Sequence, residues 1–288
     1  MIVLLSPAKS LDFEAKPHVS KHTEAAFLEE SEYLVKKLKK YSAKKIGKLM
    51  HISPALSDLN HQRFQEWSLP FDSSNAKQAA LAFRGDVYRG WSVTNMSEAD
   101  VDFAQDHVRI LSGLYGILKP LDLIQPYRLE MGSKFVVTPK VKNLYGFWKK
   151  KLTAHLNEEV GEGTIVNLAS TEYFKSINTN DVQGNIITPI FKDAKNGEYK
   201  VIMTYAKIAR GLMTRFIVSN RIDEVEQIKA FEPGFTLGER ADTIEKLDDG
   251  TCIVTVSGRN KWDQPFMVQD ILNPIVYEAL SQLNPLSK

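Results

Sequence analysis

The sequence predicts an α/β fold of mixed α+β character: a single compact domain, 1–288, with a central mixed sheet flanked by helices. Three observations predict it. Ile2-Val3-Leu4-Leu5 and Thr164-Ile165-Val166-Asn167-Leu168 are short apolar runs, as in strands covered on both faces. Amphipathic helical patterns alternate with polar turns between them. Further strand pairs are signalled by hairpin turns at Asn196-Gly197 and Asp249-Gly250.

The composition bounds the function. Hydrophobic residues make up 43% of the 288, enough for a packed core. A net charge of +2 is too small to draw nucleic acid or a membrane by field alone, so any anion-binding role rests on local clusters. Cys252 is the one cysteine, which excludes a disulfide scaffold and fits a reducing compartment. The opening apolar run is too short for a leader, and no run approaches the ~20 residues of a spanning helix. A cytoplasmic monomer without membrane contact is expected.

Taken in order, Ile2–Leu5 ends at Ser6-Pro7-Ala8-Lys9-Ser10, where a buried strand delivers Ser6 and Lys9 into a loop. Glu24 to Leu38 reads as an amphipathic helix. It runs into a lysine block, Lys36 to Lys48, that suits phosphates or a solvated face. Ser53–Leu59 and Asn60–Trp67 read as two short helices, and Ala76–Ala82 as another. Phe83 to Gly90 is turn-prone and carries Arg84, Asp86 and Arg89; Arg84 suits bidentate contact with an anion or a local pair with Asp86.

The central stretch runs from Ser97 to Gly132. Ser97 with Asp100 makes a helix N-cap, and Val101, Ala104, Val108 and Leu111 recur at helical spacing. Ser112-Gly113 is read as the stop, and Pro120 as the first turn of a following short helix. In the helix–turn–helix so expected, Gly113 and Gly116 either turn a core corner or offer N–H groups to a phosphate.

Lys134 to Lys151 forms a second basic region, with Tyr145, Phe147 and Trp148 placed for stacking on bases or for inward packing. Thr164–Leu168 opens onto Ser170, Glu172 and Lys175. Ile186–Phe191 and Tyr199–Tyr205 flank a hairpin, and Lys207–Ile217 is helical with Lys207, Arg210 and Arg215. Pro274 to Leu283, capped by Asn273, reads as a terminal helix.

Three strand ends thus repeat one composition: Ser6 with Lys9, Asn167 with Ser170, Glu172 and Lys175, and Lys207 with Arg210. If they converge, one cleft offers cations for an anion and Asp86, Glu130 or Glu172 for acid–base work. Arg84 and Arg128 belong to the same expected cleft. The six histidines lie apart, and His18 and His22 lack a third ligand, so no metal is expected; no cofactor is implied. Phosphate-loop, dinucleotide and Gly-x-Ser-x-Gly fingerprints are missing from the sequence.

Leu5-Ser6-Pro7-Ala8-Lys9, Phe83 to Tyr88, Leu111 to Gly132, Val166 to Lys175 and Tyr205 to Met213 together resemble the bacterial YaaA family of peroxide stress proteins. The resemblance implies a role in surviving hydrogen peroxide and limiting free iron. It also implies duplex DNA binding through a basic cleft and a helix-hairpin-helix element, which falls here at about 98–125, on Gly113 to Pro120, with glycines three apart where the usual hairpin has them two apart. The partner is then duplex DNA without sequence preference, met by Gly113, Gly116, Lys119, Arg128 and the other cations. The alternative is an enzyme acting on a nucleotide or nucleic-acid base, glycosylase-like or ligase-like. Lys9 or Lys207 would be its nucleophile or phosphate clamp, and Asp86, Glu130 or Glu172 its acid or base.

Overall fold

A computed structural model describes residues 1–195, 198–201, 203–228, 230–231, 243–246 and 252–259. The Asn196-Gly197 and Asp249-Gly250 turns and the expected 274–283 helix lie outside the described residues.

The first strand, Ile2–Leu5, is buried throughout and sits inside the sheet, as its unbroken apolar run requires. It pairs in parallel with Val108–Ser112 on one side and Thr164–Asn167 on the other. Beyond Thr164–Asn167, Asn185–Ile187 continues the parallel order, and Cys252–Arg259 follows it. Ile187 faces Cys252 and Ile190 faces Thr255, one constant register. Asn185–Ile187 and Ile190–Lys195 are therefore two halves of one extended segment, interrupted where Pro189 has no N–H to offer a ladder. Glu198–Lys200 folds back antiparallel on Ile190–Lys195, as the hairpin signal predicts, and Thr243–Lys246 is antiparallel to Cys252–Arg259. The extended reading of Tyr199–Tyr205 fails past Lys200, because the helix starts at Met203.

The central stretch departs from expectation. Ser97 and Asp100 do form a reciprocal cap at 3.2 Å each way, but the helix they start, Glu98–His107, ends before Val108. Val108–Ser112 is a fully buried strand. It turns through buried Leu114 and Tyr115 and returns antiparallel as Gly116–Leu118. Pro120 opens no helix; Leu123–Ile124 pairs with Lys77–Gln78. The expected helix-hairpin-helix element at 98–125 is thus a helix followed by a β-hairpin. Pairing with Ile2–Leu5 satisfies the backbone of Val108–Ser112 inside the core, which outweighs the helical spacing of its apolar residues.

Helices cover the sheet. Leu144–Val160, capped by Asn143 on the Gly146 N–H (2.8 Å), buries Trp148 completely, so the rings of the second basic region pack inward. Leu28–Leu38 starts later than Glu24 and buries Leu34, Val35 and Leu38. Pro54–Glu66 is one helix, and only Ala79–Ala82 of the expected 76–82 helix is helical. The Met203–Ser219 helix packs against Asp86–Trp91. Among the described residues no helix is long and apolar enough to cross a membrane.

Candidate functional site

The carboxyl ends of three neighbouring parallel strands carry serines. Ser6 Oγ accepts the Ser170 N–H at 2.8 Å and donates to Ser170 Oγ at 3.3 Å. The buried Tyr88 hydroxyl donates to the Ser6 carbonyl at 3.0 Å, and the Ala169 N–H donates to Asn167 Oδ1 at 3.1 Å. Ser112 Oγ lies 2.7 Å from the Tyr127 hydroxyl. The chain leaves Ile2–Leu5, forms the strand on one side, then crosses to Thr164–Asn167 on the other. Such a reversal of strand order opens a crevice beyond the carboxyl ends, the usual place for a ligand in open α/β sheets.

Charged groups gather at this crevice. Lys9 Nζ and an Arg128 Nη both bind Oε1 of Glu130, at 2.9 and 3.0 Å. Glu172 turns its carboxylate to the Gly132 N–H at 2.9 Å. The loop that carries Lys9 is tightly tied. Ser10–Leu11 pairs antiparallel with Phe83–Arg84, and the buried Lys77 ammonium donates to the Asp12 carbonyl at 2.9 Å. The Ala15 N–H, with support from the Arg84 guanidinium at 2.7 Å, holds the Asp12 carboxyl down at about 2. Burial in turn lowers the Lys77 ammonium below its usual range, against the pull of Asp12.

The structure thus brings Ser6, Lys9, Arg128, Glu130, Asn167, Ser170 and Glu172 together, with Arg84 next to them through the Ser10 pairing. Other expectations are corrected. Arg84 pairs with Asp12 and not with Asp86, which binds Arg89 at 2.6 Å. Gly113 and Gly116 present nothing to a ligand. A Cβ on Gly113 would lie 3.0 Å from the Leu129 carbonyl carbon, and one on Gly116 would lie 2.7 Å from the Trp148 ring. Lys119 lies towards the amino end of Val108–Ser112, away from the crevice, 3.6 Å from Glu159. Arg215 donates to the Trp91 and Ser92 carbonyls, locking two helices together. Lys207 and Arg210 ride on the Met203–Ser219 helix. Lys207 is exposed; Arg210 is half-buried without a counter-ion among the described residues, and burial lowers its pKa. Lys175 is exposed just after the short Thr171–Phe174 helix.

Sequence reasoning missed a helical corner. Ala43–Met50 and Pro54–Glu66 are joined by His51, Ile52 and Ser53, with Ser42 and Ser53 as N-caps. They cross so closely that a Cβ on Gly47 would lie 3.3 Å from Ser57 Cβ. Lys40, Lys44 and Lys48 are exposed and lack an acidic partner among the described residues, while Lys45 covers the Tyr41 ring at 3.6 Å. The available signals were the two serine caps and Gly47; splitting Pro54–Glu66 in two hid the corner.

The family model described as "Peroxide stress protein YaaA" matches residues 1–240. A UPF0246 protein of Dechloromonas aromatica is 54% identical over 235 residues, 81% of this chain and 91% of that one. A UPF0246 protein of Saccharophagus degradans is 51% identical over 243 residues, 83% of this chain and 94% of its own.

Proposed function

The chain belongs to the peroxide stress protein YaaA family, and from that membership we propose that it binds duplex DNA without sequence preference through the Ala43–Glu66 helical corner. The observation that carries this reading is the set of exposed cations without an acidic partner among the described residues, Lys40, Lys44 and Lys48, along and just before the corner's first helix. Among the described residues no carboxylate takes up their charges, so phosphates are their natural counter-ions. With a net charge of +2, affinity has to be local, and the three exposed lysines on and just before the corner supply it. Peroxide protection follows if the bound protein occupies phosphates where iron otherwise delivers oxidants. The enzyme reading is second, because Asp86, Glu130 and Glu172 are already engaged by Arg89, by Lys9 with Arg128, and by the Gly132 N–H.

Fluorescence anisotropy with a labelled duplex, repeated across a range of salt concentrations, tests the proposal. The wild type should show a steep fall of log K with log salt, and Lys44→Ala/Lys48→Ala should reduce that slope by roughly two units. No measurable binding, or a slope the double variant leaves unchanged, refutes it.

A further inference from the structure

We propose that the crevice beyond Ile2–Leu5 and Thr164–Asn167 binds a phosphomonoester, with Glu130 standing in for the phosphoryl group while the crevice is empty. This site shares no residue with the helical corner, so either can fail alone.

Charge matching points to this ligand class. Lys9 and Arg128 converge on a single oxygen of one carboxylate, two cations against one anion. A phosphomonoester is close to a dianion at neutral pH, so it balances both cations once Glu130 swings aside. A diester or a carboxylate, each with a single charge, does no better than Glu130 itself. Glu172 does not compete, since its carboxylate is turned to the Gly132 N–H.

Unmet hydrogen bonds point the same way. Arg128 Nε is buried with no partner among the described residues, so the guanidinium uses only part of its fork. Ser133 Oγ, in the turn where the Ser133 N–H binds the Glu130 carbonyl, is likewise buried and unpartnered among the described residues. Buried donors without acceptors are costly, and phosphoryl oxygens match the Arg fork bidentately. Ser6 and Ser170 hydroxyls stand at the two strand ends, 3.3 Å apart. That is long for an O–H···O bond, so either hydroxyl can be redirected at small loss.

The phosphomonoester could be a free nucleotide or the terminal phosphate of a DNA strand; the experiment separates the two. Calorimetric titration of the full chain uses inorganic phosphate, a nucleoside 5′-monophosphate, and a duplex with either a 5′-phosphate or a 5′-hydroxyl end. Wild type should bind inorganic phosphate. Arg128→Gln and the exposed Lys9→Met should weaken that binding about tenfold, and Glu130→Gln should tighten it about tenfold, a shift of roughly 1.4 kcal/mol each way. Lys9→Met keeps the test valid if Arg128→Gln does not fold. Preference for the phosphorylated duplex, lost in Lys9→Met, supports a strand end as the source; tighter binding of the free nucleotide supports a small molecule. No phosphate binding, binding indifferent to Lys9 and Arg128, or weaker binding in Glu130→Gln overturns the proposal.

Discussion

Gly90 and Gly211 meet face to face where the Asp86–Trp91 helix crosses the Met203–Ser219 helix. A Cβ on Gly211 would fall 2.6 Å from the Trp91 nitrogen and 2.9 Å from Gly90 Cα. Backbone occupies that space, so no side-chain rotation relieves the clash. Gly211→Ala should therefore destabilise the protein by roughly 1–3 kcal/mol in denaturant unfolding. An unchanged midpoint would show that the two helices separate freely.

Gly116 is confined for two reasons. Its φ is +71°, and the Trp148 ring lies where a side chain would go. Gly116→Ala should lower stability by about 2 kcal/mol, from left-handed strain plus displacement of Trp148. The same variant should leave the salt slope of DNA binding unchanged, since this turn is buried. A changed slope in a folded variant would return the turn to the DNA interface.

Asp122 sits in the core and accepts hydrogen bonds from Thr23 Oγ1 at 2.6 Å and the Lys119 N–H at 2.7 Å. Burial raises its pKa to about 6, which these bonds only partly offset. Unfolded aspartate ionises near ~3.9, so between these values the folded protein holds a proton that the unfolded chain has lost. The resulting stabilisation is complete below about pH 4 and disappears as pH rises through about 6. Asp122→Asn can keep the Lys119 N–H on its amide oxygen while its NH2 donates to Thr23 Oγ1, and it should gain roughly 2 kcal/mol relative to wild type at pH 8, with little gain at pH 4. Parallel pH–stability curves for the two proteins would contradict this.

Arg109 is buried and held bidentately by Glu159, with both N···O distances at 2.8 Å. Burial raises the Glu159 pKa, but bonds from Arg109 outweigh it, and the net shift is downward. The pair's stabilisation is thus present above the unfolded carboxylate range and lost as pH falls below it. Glu159→Gln leaves a buried guanidinium without its bidentate carboxylate and should cost about 3 kcal/mol at pH 7 in thermal or denaturant unfolding. A loss equally large at pH 3 would mean that packing, not charge, holds the pair.

The sequence by itself determined the elements whose signals are local. Ile2–Leu5 and Thr164–Asn167 read as buried strands because both faces are covered, so apolar residues stand on consecutive positions, Ile2 to Leu5 and Ile165 with Val166. The Ser97–Asp100 cap and the Met203–Ser219 helix, read as Lys207–Ile217, were legible for the same reason: each answers to neighbours within a few residues. Only the tertiary structure decided that Val108–Ser112 is a strand. Its apolar residues satisfy a helical period as well as an extended one, and the choice was made by Ile2–Leu5, about a hundred residues earlier in the chain. Counter-ions were equally hidden. Arg84 has Asp86 two residues away yet binds Asp12, and Lys9 reaches Glu130 across the crevice. Periodicity and capping record local burial, whereas pairing register and ion pairing depend on which distant segments the sheet sets side by side.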